Sequence, residues 1–258
     1  MTEKEKTTRK KPEKETEGGR NESKMPFVDH LEELRRRLFY CVGSIIGLGL
    51  IAYIFSQRLL DIITMPVPEG TSLISLAPQQ MFIVHIKVSF YAGIILGMPV
   101  LVFQFWQFVA PGLFPKERKA LFPVIFFTVF SFVVGGLFAY FIVVPNGLLF
   151  LQSFQTEDII ASWSIDKYIS FVTMMIMVFG VVFEIPLLAV FLAKIGLIDH
   201  RMMRKYRKYS ILGAVILGAI LTPPDGFTQI ALAVPLWILY EISIFLVRIF
   251  GSGDETED

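Results

Sequence analysis

Cysteine and histidine are scarce in this sequence, which has one cysteine and three histidines in 258 residues. A single cysteine, Cys41, cannot form an intramolecular disulfide, so a fold held together by disulfides is excluded. The histidines form no metal-ligand pattern with cysteine, and the sequence has no nucleophile elbow, HExxH motif or glycine-rich phosphate-binding loop. The sequence therefore gives no indication of an enzyme, a metal centre or a cofactor site.

Charged residues are also missing from long parts of the sequence. Hydrophobic residues make up 54% of the total, and the mean hydropathy is +0.61. Six apolar stretches follow one another, at residues 38–56, 82–103, 121–144, 169–193, 210–221 and 227–247. Since about 20 apolar residues cross the hydrocarbon core of a bilayer, the pattern predicts an all-α integral membrane protein with six transmembrane helices.

The last two of these stretches are predicted to be short spans. As a helix, residues 210–222 cover only about 20 Å, against about 30 Å for the hydrocarbon core. One alternative is a re-entrant hairpin that is buried in the protein. A thinned bilayer or a water-accessible half-cavity is favoured, because the turn TPPDG at residues 222–226 is polar and should reach water.

The two ends of the chain differ from its apolar middle. Residues 1–24 are polar and charged, and residues 251–258 are acidic, so two tails are predicted to flank a single six-span domain at residues 25–250, the first of them disordered. Of the 24 Lys and Arg residues, 21 lie in the N-terminal segment, the second and fourth connections or the C-terminal end. The positive-inside rule therefore predicts a multi-pass protein of the cell membrane with both termini in the cytoplasm.

Glu184 is the only charged residue in the fourth apolar stretch. An ionised carboxylate at the centre of a membrane helix is unfavourable by about 2.5–3.5 kcal/mol. Glu184 is therefore expected to contact a polar partner or a water-filled cavity, or to be protonated. One hypothesis is a proton-coupled secondary transporter with Glu184 as its proton site. That function needs a second polar group at the same depth in another span, and the candidates Ser131, Thr173 and Glu241 are few.

Two acidic residues lie beside aromatic residues on the predicted cytoplasmic side. Glu33 is on the polar face of an amphipathic helix predicted at residues 27–38, and Glu117 follows the aromatic segment that includes Phe108. Each carboxylate is able to bind a guanidinium group through two hydrogen bonds, which complements a peptide with paired arginines followed by apolar residues. The alternatives are that Glu117 stabilises the start of a helix after Pro115 and that Phe108 belongs to an interfacial aromatic belt.

The sequence resembles the TatC family, whose members are the large polytopic subunit of the twin-arginine protein translocase. The similarity runs from about residue 27 to residue 250 and rests on five motifs in their order along the chain. These motifs are HLEELRRRL (30–38), FWQFVAPGLFPKER (105–118), AYF (139–141), FGVVFEIP (179–186) and LTPPDGFTQ (221–229).

The resemblance implies six helices in a concave, cup-like wall without enzymatic activity. It also implies that the cytoplasmic face is the receptor for twin-arginine signal peptides of folded precursor proteins, which are exported with the proton-motive force. By position, Glu33, Phe108 and Glu117 match the family's signal-recognition residues, Glu184 its intramembrane glutamate, and Asp225 the acidic residue of its last external turn. The implied partners are these peptides, small single-span translocase subunits, the lipid bilayer and, through self-association, a second copy of the chain. No cofactor, metal ion or nucleic acid is expected.

Overall fold

The structure of the protein, a computed structural model, is mostly helical. It describes residues 27–110, 121–154, 162–221 and 226–251. The predicted tail at residues 1–24 lies outside the described residues, as do Glu117, Asp225 and all but the first residue of the predicted acidic tail. The predicted helical membrane fold is confirmed.

The first helix, α1 (Phe27–Ile54), runs for 28 residues without a break. The sequence predicted two elements here, an amphipathic helix at residues 27–38 and a span at residues 38–56. No proline separates the two patterns, and they form one helix. The polar residues at the start of α1, including Glu33, are therefore rigidly connected to the first span.

The second span is longer than its apolar stretch. After the short helix α2 (Ser56–Thr64) and the strand β1 (Ser72–Ile74), helix α3 (Gln80–Val109) runs for 30 residues with Pro99 inside it. The sequence predicted the apolar part of this span at residues 82–103. Because α3 continues beyond that stretch, the aromatic and glutamine-rich segment that follows is helical and extends from the end of the span.

The third span contains one irregular turn. Helix α4 (Leu121–Phe138) continues through a π-helical turn (Ala139–Val143) into α5 (Val144–Gln152). Pro145 lacks the N–H group that would bond to the carbonyl of Phe141, and its ring would clash with that carbonyl in a regular helix. The wider turn directly before Pro145 accommodates this defect without ending the span.

The fourth span is broken at its centre. It consists of α6 (Ile165–Val182) and α7 (Glu184–Lys194), which follow the strand β2 (Ser162–Ser164). Pro186 cannot donate to the carbonyl four residues before it, and the α-helix is interrupted at Phe183. The break makes Glu184 the first residue of α7.

The C-terminal part contains three helices, α8 (His200–Lys205), α9 (Arg207–Leu221) and α10 (Gly226–Phe250). Helix α9 has 15 residues and covers about 22 Å, in agreement with the predicted short fifth span. Helix α10 has 25 residues and covers about 37 Å, and its candidate spanning segment, Leu232–Phe250, has 19 residues and is the shortest of the five found in the described residues. The helix begins at Gly226, the last residue of the predicted turn, and continues past the apolar stretch through Arg248 to Phe250, which lengthens it at its C-terminal end.

Within the described residues, five helical segments are long and apolar enough to cross a membrane. They are His30–Ile54, Gln80–Val109, Pro123–Gln152, Ile165–Lys194 and Leu232–Phe250. Many large apolar side chains on these segments are exposed, for example Phe126, Phe130 and Phe245. Outward-facing apolar side chains are expected where lipid replaces water as the solvent, and the chain is a multi-pass membrane protein.

The spans pack mainly onto their neighbours in an open row. Helix α1 packs along α3, α3 along α6, α6 along α4, α7 along α10, and α10 along α9. The α1–α3 contact is very close, because a Cβ atom on Gly93 would lie 2.7 Å from the carbonyl oxygen of Ile45 and 2.8 Å from the Cα of Gly49. Small residues at this crossing let the two backbones touch.

The membrane domain has two opposite ends along the direction of its helices, and they carry different structures. At one end, which we call the strand face, β1 pairs with β2 in parallel, with Ser72 opposite Ser162 and Ile74 opposite Ser164. The sequence did not predict this pair, which joins the connections after the first and third spans. The other end, which we call the basic face, contains the start of α1 and the ends of α3, α7 and α10.

Candidate functional site

Glu33 lies near the start of α1, on the side of the helix that faces the end of α3. Its side chain is only 10% exposed. The Nε atom of Arg37, one helical turn further on, donates to Oε1 of Glu33 at 3.0 Å, and Nη2 of the same side chain donates to the same oxygen. Residues four apart on a helix are neighbours, so α1 forms this ion pair within itself.

Arg37 also connects α1 to α3. Its Nη1 atom donates to Oε1 of Gln107 at 2.7 Å and to Oε1 of Gln104 at 3.2 Å. One edge of the planar guanidinium therefore contacts a carboxylate, and the other contacts two neutral amide oxygens. The two glutamines lie three residues apart near the end of α3, which places both on the same face of that helix.

Phe108 reaches the same place through His30. The imidazole ring of His30 stacks on the Phe108 ring, with a centroid separation of 4.3 Å and an interplanar angle of 14°. The Nδ1 atom of His30 lies 3.9 Å from Oε2 of Glu33. Two of the predicted recognition residues, Glu33 and Phe108, are thus brought together with one histidine between them.

The second oxygen of the Glu33 carboxylate is unpaired. Oε2 is buried and accepts no hydrogen bond from any described residue. A buried acceptor without a donor is unfavourable by about 1–3 kcal/mol, and more when it is charged. The site therefore has one paired and one buried, unpaired carboxylate oxygen beside aromatic rings, an arrangement that favours a cationic donor with several N–H groups.

The sequence identified only part of this site. It predicted Glu33 and Phe108, but it did not single out His30, Arg37, Gln104 and Gln107. A signal for Arg37 was its spacing of four from Glu33, and a signal for the glutamines was their spacing of three at the end of a span. Glu117, the other predicted carboxylate, lies outside the described residues.

Trp106, in the same aromatic segment, has a different role. It is 2% exposed and meets Phe191 of α7 edge to face, with ring centroids 4.5 Å apart. Trp106 therefore packs the end of α3 against the fourth span and is not part of an exposed aromatic belt. This contact fixes the end of α3, which carries Gln104, Gln107 and Phe108.

Glu184 is buried between the third and fourth spans. It is 7% exposed, and neither of its carboxylate oxygens has a hydrogen bond to a described residue that meets normal geometry. The Thr128 hydroxyl and the backbone of Phe132, both on α4, lie near it. Thr128 is itself 7% exposed, and its hydroxyl has no partner among the described residues.

The polar residues that were candidates for a second proton site have other partners. Ser131 donates to the carbonyl of Phe183 at 2.7 Å, and Thr173 donates to the carbonyl of Ile169 at 2.7 Å. Glu241 accepts from Arg207 at 2.5 Å. None of these contacts involves Glu184, and Thr128, a polar side chain that lies near it, was not among the predicted candidates.

An apolar groove of about 620 Å³ lies beside the break in the fourth span, and Glu184 is not among the residues that line it. It is formed by α4, α7 and α10, and Phe183 and Pro186, which flank Glu184 in the sequence, line it. Lys194 lines the end of the groove nearest the basic face. A groove of this size and lining accommodates apolar side chains of a neighbouring helix.

Comparison with known proteins identifies relatives of the whole membrane domain. The family model described as Sec-independent protein translocase protein (TatC) matches residues 29–235. The chain is 44% identical to the Sec-independent protein translocase protein TatC of Desulforapulum autotrophicum, over 93% of this chain and 90% of that protein. It is 40% identical to the protein of the same name from Aquifex aeolicus, over 87% of this chain and 95% of that protein. A crystal structure of the twin arginine translocase receptor TatC is 38% identical and superposes with a TM-score of 0.78, over 85% of this chain and 98% of that chain.

Proposed function

Since this chain belongs to the TatC family of Sec-independent protein translocase proteins, we propose that it is the signal-peptide receptor and core subunit of a twin-arginine translocase. In this function the protein binds the signal peptides of folded precursor proteins, and the translocase exports these precursors across the membrane with the proton-motive force. The family match supports a protein translocase subunit and does not favour a secondary transporter of small solutes or an enzyme.

The Glu33 carboxylate is the observation that carries this proposal. It is a largely buried anion with one unpaired oxygen, and it lies next to the stacked rings of His30 and Phe108. An arginine of the peptide would donate to the unpaired oxygen, and apolar residues that follow the arginines would pack on Phe108. A lysine ammonium offers no planar fork of donors and would bind the same carboxylate less well.

Glu117 is proposed as the second carboxylate for the paired arginines. It follows Phe108 by nine residues, and the described part of α3 ends at the basic face beside Glu33. Two carboxylates near one aromatic ring would bind two guanidinium groups separately, which explains why the peptide motif needs a pair.

The orientation and the other partners follow from the same function. We place the basic face in the cytoplasm, where precursor proteins are made, and the strand face and Asp225 outside. Small single-span subunits are proposed to pack against the membrane-exposed helices, with Glu184 as a polar contact for the inserted signal peptide or a partner helix. Its burial without a hydrogen-bond partner among the described residues supports this role, since a polar group of an incoming helix would satisfy the carboxylate.

The test is binding of two peptides to the purified full-length protein in detergent. One peptide carries a twin-arginine motif followed by an apolar segment, and its control has two lysines in place of the arginines. The wild-type protein should bind the arginine peptide more tightly, and Glu33→Gln should reduce that difference. Equal binding of both peptides to the wild type would contradict the proposed recognition.

A further inference from the structure

We propose that Arg37 is a resident guanidinium that competes with the signal peptide for the Glu33 carboxylate. The inference rests on the proposed receptor function and concerns the regulation of the same site. A peptide arginine then does not enter an empty site. It has to displace an arginine of the receptor from Oε1 of Glu33 before it obtains both carboxylate oxygens.

Arg37 binds the Glu33 carboxylate with the same donor atoms that an arginine of a bound peptide would use. Arg37 presents Nε and Nη2 to Glu33, and these two donors form the edge that a peptide arginine would use. The side chains of Arg37 and Glu33 are only 13% and 10% exposed. Water therefore screens this pair less than an ordinary surface ion pair, and the contact holds the carboxylate more firmly.

The surroundings make Arg37 displaceable. Its Nη1 atom is already bonded to Gln104 and Gln107, so an Arg37 side chain that leaves Glu33 keeps two acceptors on α3. A guanidinium with no remaining partner would have to become buried and unpaired, which would be strongly unfavourable. The two glutamines remove that barrier and let the carboxylate exchange one guanidinium for another.

The unpaired oxygen offers a route for the exchange. Oε2 of Glu33 is buried and unpaired in the described residues, so an incoming guanidinium that moves the covering side chains aside can first donate to Oε2 while Arg37 still occupies Oε1. Two guanidinium groups on one carboxylate repel each other. Movement of Arg37 toward the glutamines relieves this repulsion and completes binding. Before the peptide binds, Arg37 has moved away from Glu33 in only a fraction of the receptors. The apparent affinity for the peptide is the intrinsic affinity multiplied by that fraction.

The experiment compares two arginines of the same helix in the full-length protein. Arg37→Gln should tighten binding of the twin-arginine peptide by about two- to tenfold, since it removes a partly buried competing ion pair. Because competition affects every ligand of Glu33 alike, the twin-lysine peptide should gain by the same factor. Arg36→Gln is the matched control. It makes the same change in charge at the adjacent, exposed residue, which has no hydrogen bond to a described residue, and it should leave both affinities unchanged.

A conservative variant keeps the proposal testable if Arg37→Gln does not fold. Arg37→Lys keeps the charge but lacks the fork of donors, so it should fold like the wild type and show a smaller gain in affinity. In a Glu33→Gln background, Arg37→Gln should produce no gain, because the competition needs the carboxylate.

The direction in which the Arg37 variants change the peptide affinity decides whether Arg37 competes with the peptide. Weaker binding in both Arg37 variants would mean that Arg37 holds Glu33 in position, and it would overturn the proposal. An equal gain in Arg36→Gln would assign the effect to overall charge and would also overturn it. If Glu33→Gln alone leaves peptide binding unchanged, it is the proposed recognition site that fails, whatever the Arg37 variants show.

Discussion

Thr128 of α4 and Glu184 of α7 face each other as two buried polar side chains, and neither forms a hydrogen bond of normal geometry to a described residue. Unsatisfied buried polar groups destabilise a fold by about 1–3 kcal/mol each. Glu184 also lies in a segment that is otherwise apolar. A pair of this kind fits a site that obtains its hydrogen-bond partner from another molecule.

The first prediction concerns this pair. Glu184→Gln keeps the shape and the hydrogen-bonding capacity of the side chain, so export should continue if the neutral form of Glu184 is the working one. Glu184→Ala should impair association with partner subunits or export, while binding of the signal peptide at the basic face is largely kept. Export of a reporter precursor and co-purification of the single-span subunits measure the two effects.

A photocrosslinker at position 184 provides the independent check for this role. It should capture a partner helix or the signal peptide when the translocase is assembled. Thr128→Val, which removes the neighbouring hydroxyl and keeps the volume, serves as the comparison for a purely structural effect. If the crosslinker captures only lipid and Glu184→Ala exports normally, Glu184 has no role in transport.

The second prediction concerns the crossing of α1 and α3. Gly93→Ala would place a methyl group 2.7 Å from the carbonyl oxygen of Ile45, so the helices must separate, and we expect a loss of stability of about 1–3 kcal/mol. Gly43→Ala is the matched control on α1, where an added Cβ meets no described atom within 4 Å. It should be neutral or stabilising because alanine favours a helix interior. Thermal unfolding in detergent measures both variants, and equal melting temperatures would contradict the close contact.

The separation of α1 and α3 should also affect the peptide site. Arg37 on α1 reaches Gln104 and Gln107 on α3 across this interface. The sequence predicted the two spans and singled out Glu33 and Phe108, but it placed Phe108 in the segment beyond the end of the second span. It could not predict the bonds of Arg37, since contacts between residues about 70 apart depend on the crossing that Gly93 permits.

The other differences from the sequence have similar causes. The parallel pair of β1 and β2 involves three residues from each strand, too few for an alternating pattern to indicate a strand. It forms because the starts of α3 and α6 lie side by side, where Gln80 donates to Ser164 at 2.8 Å and Lys87 donates to Asp166 at 2.5 Å. The interruption of the fourth span at Phe183 has a local cause, because Pro186 acts on the preceding turn and leaves a clear signal in the sequence.

The third prediction concerns orientation. In a Cys41→Ser background, a cysteine at Ser162 on the strand face should react with a membrane-impermeant reagent in intact cells, and a cysteine at Lys205 on the basic face should not. Both residues are exposed, so accessibility within the protein does not limit either reaction. Lysed cells should label both positions, which controls for reactivity. The reverse pattern in intact cells would contradict cytoplasmic termini.

The last prediction tests whether Glu33 and Glu117 each bind one arginine of the peptide. Loss of one charge-assisted contact should reduce the affinity by about 1.5–3 kcal/mol, or roughly ten- to a hundredfold. Glu33→Gln and Glu117→Gln should each have this effect at normal protein abundance. Their effects should add in the double variant, because two separate contacts are lost.

Single lysine substitutions in the peptide assign each arginine to its carboxylate. A peptide with lysine at one position should bind more weakly to the wild type, but it should show little further loss in the variant that lacks the matching carboxylate. Each peptide should therefore be insensitive to one glutamate variant and sensitive to the other, as expected for paired contacts in a double-mutant cycle. If both peptides respond equally to both variants, the two carboxylates act as one field of negative charge and not as two separate guanidinium sites.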